Sequence, residues 1–259
     1  MEFTETQILT WLQSAFWPMV RIGGVLMTAP VFGDGFSSPL VRLMLMLALT
    51  LILAPLLPAA VPLPMFSAEW WLRGGEELAV GLMLGFILKI ALEAVVMGGE
   101  LIGNSMGIGF ARVADPVRGA DAPVVGEFLQ VTAVLVFLSV GGHLRLIEAL
   151  ADSFRHAPVG GELLGANVLY TVFGFAGRIF EGAMSVALPT VAALLLVNLA
   201  FGVMSRSAPT LNGLSVGFPL SLIAGLFLMQ INLPQLGSVL EIQLDAAWAL
   251  IASLVGVPH

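Results

Sequence analysis

Residues 78–98, LAVGLMLGFILKIALEAVVMG, decide the class of fold. They carry only two charges, Lys89 and Glu93, and their apolar residues run continuously instead of alternating. A helix crosses the ~30 Å hydrocarbon layer in about 20 such residues. Lipid satisfies no backbone hydrogen bonds, so a segment of this kind is a helix or part of a closed barrel. Barrel strands alternate apolar with polar residues, so continuity leaves the helix.

The whole chain has the same character. Of 259 residues, 58% are hydrophobic and 10% charged, and the mean hydropathy is +1.00. Soluble domains run near 25% charged, so there is too little polar surface here to cover the molecule in water. Further apolar blocks fall at about 8–32, 40–66, 124–141, 168–203, 216–231 and 246–257. The block at 168–203 is long enough for a helix and a half, or for two shorter helices broken near Pro189. The last two blocks are short and are separated by Pro234 and Gly237, which reads as a helical hairpin over 216–257. About six conventional spans are expected, in an all-α membrane protein of kinked helices and helical hairpins.

Several functions are excluded or disfavoured at this level. The chain has no cysteine, which removes disulfides, iron–sulfur clusters and thiol nucleophiles. His143, His156 and His259 are scattered, so no metal site is expected. A net charge of −7 argues against nucleic acid, which needs clustered Lys and Arg. The Gly-x-Gly elements follow no strand and read as no nucleotide site. His143 has no second catalytic group beside it, so a membrane enzyme built on it is not expected, nor is any cofactor. The first thirteen residues carry Glu2 and Glu5 and no basic residue, so the first apolar block is expected to stay in the mature protein.

Two features argue against ordinary life in lipid. With six spans, one set of loops holds Arg73, Arg145 and Arg155 and the other Arg42, Arg112, Arg118 and Arg206; three against four gives no orientation. Ionisable residues also sit inside apolar blocks, at on the order of 3 kcal/mol each by insertion scales. Lys89 and Glu93 are i,i+4 neighbours and Arg178 and Glu181 are i,i+3, so each pair can neutralise itself on one helix face. Arg21 has no acid at helical spacing and needs a partner from another helix, another subunit or water. It marks a functional site or a structural ion pair within a bundle. A proton- or solute-coupled secondary transporter with Lys89, Glu93 and Arg178 as a relay is the rival functional reading.

Residues 98–123, GGELIGNSMGIGFARVADPVRGADAP, stand apart. Gly98, Gly99, Gly103, Gly107, Gly109 and Gly119, with Pro116 and Pro123, forbid a stable helix through the whole stretch. Met106, Ile108, Phe110 and Val113 alternate with small residues as a flexible loop with an apolar tip. Arg112, Asp115, Arg118 and Asp121 follow at a spacing of three. Such a loop survives at membrane depth only buried in protein or lining a cavity. A pore constriction meets that condition, and so does a plain glycine-rich connection.

Four elements in order carry a family resemblance. They are RIGGVLMTAPVFG (Arg21, Ala29, Pro30, Phe32) followed by Pro39 and Arg42; GIGFARVADP (Gly107, Phe110, Asp115, Pro116); GGHLRLIEALADSF (His143, Ser153, Phe154); and NLAFGVMSRSAPTLNGLSVGFPLSLIAGL (Asn198, Gly202, Arg206, Pro209, Asn212, Gly217, Phe218, Pro219). With these the chain resembles, over nearly its whole length, the FliR family of flagellar export-gate proteins and its virulence-secretion counterparts, SctT and SpaR. One departure is Gly213, where a branched apolar residue is expected. The resemblance implies a non-enzymatic structural and gating subunit of the type III secretion export gate. It would sit in the bacterial inner membrane within the flagellar basal body, largely raised out of the bilayer plane. The implied partners are FliP and FliQ multimers, FlhB and exported unfolded proteins, with no nucleic acid. It also implies a FliP-like part over residues 1–185, a FliQ-like helical hairpin over 186–259, and a plug over about 104–122 that includes Met106, Gly107, Ile108, Gly109, Phe110, Val113, Asp115 and Pro116. Arg21, Lys89, Glu93, Arg178, Glu181 and Arg206 are then intramembrane charges at subunit contacts.

Overall fold

The computed structural model describes residues 5–33, 37–57, 63–108, 124–160, 165–207 and 217–256. Every regular element among them is helical: α1 (Glu5–Thr28), α2 (Pro39–Leu53) with a 3-10 turn (Ala54–Leu56), α3 (Ala68–Ser105), α4 (Val124–Ser139), α5 (Gly142–His156), α6 (Ala166–Phe175), α7 (Arg178–Ser207) and α8 (Phe218–Val255).

The helices obey the local chemistry but not always the block limits. Ser38 caps α2, its hydroxyl accepting from the Val41 amide at 3.4 Å, and Pro39 occupies the first turn, where its missing N–H costs nothing. Among the described residues four helical stretches are long and apolar enough to span: Pro39–Leu56, Ala68–Ser105, Asn167–Arg206 and Phe218–Val255. Against the expectation of about six, the described residues hold these four, or five if the bent pair Val124–Ser139 and Gly142–His156 is one span. The block at 124–141 ends in a 66° bend into α5; Gly141 makes that turn at φ 73, a conformation that side chains disfavour. The break expected near Pro189 lies instead at Ala176 and Gly177, and α7 continues through the proline. The hairpin expected within 216–257 is one helix, α8, with Pro234 inside it. A single proline removes one hydrogen bond and bends a helix. It need not end one when a neighbouring helix supports both sides, as α7 and α8 do for each other. They run antiparallel, with Ser221 Oγ donating to Asn198 Oδ1 at 2.7 Å and Asn232 Nδ2 to Thr190 Oγ1 at 3.2 Å.

Packing divides the chain into two units. The first is Met1–Ile90, Phe137–Ala176 and Asp245–His259; the second is Ala91–Val136 and Gly177–Leu244. In the first unit, Gln13, Trp17, Arg21 and Val25, at i,i+4 spacing along α1, and Ala29 just past its end are buried. Helix α1 crosses α3 most closely at glycines, Gly24 on α1 and Gly81 and Gly85 on α3. A Cβ on Gly24 would lie 2.7 Å from the Leu78 carbonyl oxygen, one on Gly85 2.7 Å from the Ala29 amide nitrogen, and one on Gly81 on the Arg21 carbonyl. The Gly81/Gly85 pair, a small-xxx-small motif, thus receives a helix of its own chain. Trp70 stacks on Phe16 at 5.0 Å and lies edge-on to Trp71 at the start of α3.

In the second unit the later half of α3 packs on α4 and α7 through glycine again. A Cβ on Gly99 would lie 2.8 Å from the Gly126 Cα, and one on Gly98 2.8 Å from the Val186 Cβ. This explains why 98–105 is helix despite three glycines: each gap is filled by a neighbouring helix, which repays the entropic cost of glycine. Elsewhere apolar surface is left bare. Leu40, Met44, Leu47 and Leu51 of α2 are exposed, as are Leu195, Leu196 and Leu199 of α7.

Candidate functional site

Arg21 is 2% exposed, inside the first unit. Its Nε donates to Glu77 Oε2 of α3 at 2.7 Å. Its Nη1 donates to the Ser153 carbonyl at 3.0 Å, to Ser153 Oγ at 3.2 Å and to the Ala157 carbonyl at 3.1 Å. The guanidinium carbon lies 4.3 Å from the centre of the Phe154 ring. The last carbonyls of a helix lack intrahelical partners and carry the negative end of its dipole. One cation therefore neutralises Glu77, closes the end of α5 and stacks on an aromatic face, tying α1, α3 and α5 together. The partner that Arg21 requires comes from another helix of the same chain.

The second site is the stem of the glycine-rich segment. Helix α3 ends with the Gly107 amide donating to the Asn104 carbonyl at 3.1 Å and the Ile108 amide to the Gly103 carbonyl at 3.2 Å, with Gly107 at φ 84. That pair of bonds is a Schellman cap, whose left-handed position favours glycine. Met106, just before it, is fully buried with Ile102, Val125, Ala187 and Leu194, and Ile108 packs against the same cluster. Met106 and Ile108 were expected in a flexible apolar tip. They lie instead in the packed end of α3, because a cap that turns the chain at Gly107 leaves both side chains against α4, α7 and α8.

The family model described as bacterial export proteins, family 1, matches residues 12–247. The chain belongs to that family. This export protein is 35% identical to the flagellar biosynthetic protein FliR of Escherichia coli strain K12 over 98% of its own length and 97% of the relative's. It is 35% identical to the FliR of Pectobacterium carotovorum, with the same coverage. To the FliR of Bacillus subtilis strain 168 it is 32% identical, over 82% of each chain.

The remaining residues singled out in this export protein are dispersed. Arg178 and Glu181 form their expected i,i+3 pair at 3.8 Å at the start of α7. Lys89 and Glu93 lie half-buried on α3, and Arg206 is exposed in the last turn of α7, where a cation complements the helix dipole. Gly109, Phe110, Val113, Asp115 and Pro116 lie outside the described residues, as do Pro209, Asn212 and Gly213. Sequence reasoning missed Glu77. It stands one residue before the apolar block at 78, where an acid reads as solvated; because α3 starts at Ala68, Glu77 lies about two and a half turns into the helix and is its first buried residue. The available signal was Arg21 itself, a cation with no local acid, which called for a carboxylate near another block. Two of the four family elements meet here, since Arg21 belongs to the first and Ser153 and Phe154 to the third.

Proposed function

We propose that this chain is a structural and gating subunit of the flagellar type III secretion export gate, forming with FliP and FliQ the channel for unfolded flagellar proteins. The carrying observation is that relatives named flagellar biosynthetic protein FliR match 98% of the chain at 35% identity. The geometry agrees. Helices α3 and α8 are each 38 residues long, about 57 Å at 1.5 Å per residue, against a hydrocarbon layer of ~30 Å. Both ends cannot lie in lipid. Bare apolar faces on α2 and α7 suit neighbouring protein helices as well as lipid. In this reading the protein resides in the bacterial inner membrane within the basal body, with FlhB joining the core. The first 185 residues form the FliP-like part, and α7 with α8 forms the FliQ-like hairpin expected at 186–259. The segment that follows Ile108 acts as the plug.

Two experiments test this. Purified from cells expressing the export genes together, the chain co-purifies with FliP and FliQ, and the intact mass of the complex counts the subunits. A chain that is monodisperse and functional alone in liposomes would instead favour the transporter reading. Deleting residues 109–113 raises ion conductance through the assembled complex; unchanged conductance removes the plug assignment.

A further inference from the structure

Helices α7 and α8 carry their interior prolines at one level. Thr190, next to Pro189, accepts a hydrogen bond at 3.2 Å from Asn232, two residues before Pro234. Each proline lacks the N–H that bonds four residues back, so the Ser185 and Gln230 carbonyls lose their intrahelical donors. Both helices are weakest at the same height. Beside that level, within the second unit, lies a cleft of about 20 Å³ lined by Ser185, Thr190, Met229, Asn232 and Gln235 among apolar side chains. A water molecule needs roughly 10–15 Å³ and two to four polar partners. The lining has that capacity to spare. Asn232 Nδ2 donates to Thr190 Oγ1 and, at 2.9 Å, to the Leu228 carbonyl, which uses both of its hydrogens and leaves Oδ1 to accept. The fully buried Thr190 hydroxyl accepts from Asn232 and donates to no group among the described residues. An open donor and an open acceptor, with Ser185 beside them, therefore line one water-sized space.

We propose that this level is a hydrated hinge: one water binds between Thr190, Asn232 and the Ser185 carbonyl, in place of the helix bond that Pro189 cannot make, and the α7–α8 pair bends there during transport. Ordered water is one of the means by which proline is accommodated in membrane helices, and proline or water in the ladder is what kinks a helix. A water that breaks and remakes its bonds lets the kink change angle. Since both helices yield at one height, they bend together. The segments beyond the hinge, 190–207 and 218–231, carry the bare side chains of Leu195, Leu199, Ile223 and Phe227. They extend roughly 27 Å at 1.5 Å per residue, so a bend of about 10° shifts their far ends by about 5 Å. The use in transport rests on the export-gate reading; the water site and the hinge do not.

Hydroxyl-radical footprinting by X-ray pulse detects a bound water through oxidation of the side chain beside it. Met229, in the lining, is oxidised in the wild-type complex and about fivefold more slowly in Thr190→Val/Asn232→Leu, which keeps the shape and removes both polar side chains. Met204, 48% exposed near the end of α7, is oxidised equally in both and serves as the control. Hydrogen exchange reads the hinge. Pro189→Ala/Pro234→Ala restores both helix bonds, so peptides over 185–195 and 229–240 exchange about tenfold more slowly. Export falls about fivefold in that variant, with co-purification of FliP and FliQ unchanged. Met229 oxidation indifferent to Thr190→Val/Asn232→Leu overturns the water site. Exchange indifferent to the alanine pair overturns the hinge. Slower exchange with undiminished export upholds the hinge and overturns its use in transport. Failure to co-purify counts against the export-gate reading alone, because oxidation and exchange are read in the chain itself.

Discussion

Arg21→Met is expected to cost the first unit about 3–5 kcal/mol, the range measured when one partner of a buried pair is removed. The carboxylate of Glu77 would be left 4% exposed with its 2.7 Å partner gone. The Ala157 carbonyl would lose its Arg21 donor too, and the Ser153 carbonyl would keep only the Ala157 amide. Glu77→Met should be milder, because Arg21 keeps both carbonyls, Ser153 Oγ and the Phe154 ring. The decisive variant is the double one. Arg21→Met/Glu77→Met strands no charge, and apolar replacement of a buried pair is often near neutral, so it should be more stable than Arg21→Met alone. Thermal unfolding of the detergent-solubilised complex, followed by circular dichroism, ranks the three. A double variant as unstable as the sum of the singles would show that Arg21 and Glu77 act independently.

Gly81→Ala carries the second large effect. Its new methyl group would fall on the Arg21 carbonyl, with the Val25 amide nitrogen at 3.0 Å. Both are backbone atoms of a helix and cannot turn aside as a side chain would. The helices must separate, and overpacking of this kind typically costs 1–3 kcal/mol, occasionally more. Separation also draws Arg21 away from Glu77, so the loss should fall at the upper end and Gly81→Leu should prevent the unit from folding. Gly75 is the internal control. It lies in the same helix with nothing within 4 Å of a built Cβ, so Gly75→Ala should stabilise by roughly 0.5–1 kcal/mol through helix propensity alone. The same melting experiment reads both. Similar effects at 75 and 81 would contradict the close crossing of α1 and α3.

Windows of composition and periodicity carried much of this molecule without any coordinates. Continuous apolar runs lead to membrane helices because lipid leaves the backbone no other way to satisfy its hydrogen bonds. Arg21 shows its need for a partner because the nearest acids lie off its helix face. Those properties are local or summed along the chain, so residue order is enough to reveal them, together with the family that its four ordered elements mark. Where helices stop was less legible. Pro189, Pro234 and the glycines at 98, 99 and 103 look like interruptions when only local propensity is weighed. The tertiary structure keeps all five positions helical, because neighbouring helices fill the gaps and hold the bends. Which surfaces meet was decided by tertiary structure alone. That Glu77 answers Arg21, that α1 lies in the Gly81/Gly85 groove and that Met106 is buried with Ala187 and Leu194 depend on many small packing energies between residues distant in sequence. Contacts of that kind leave no periodic trace along the chain.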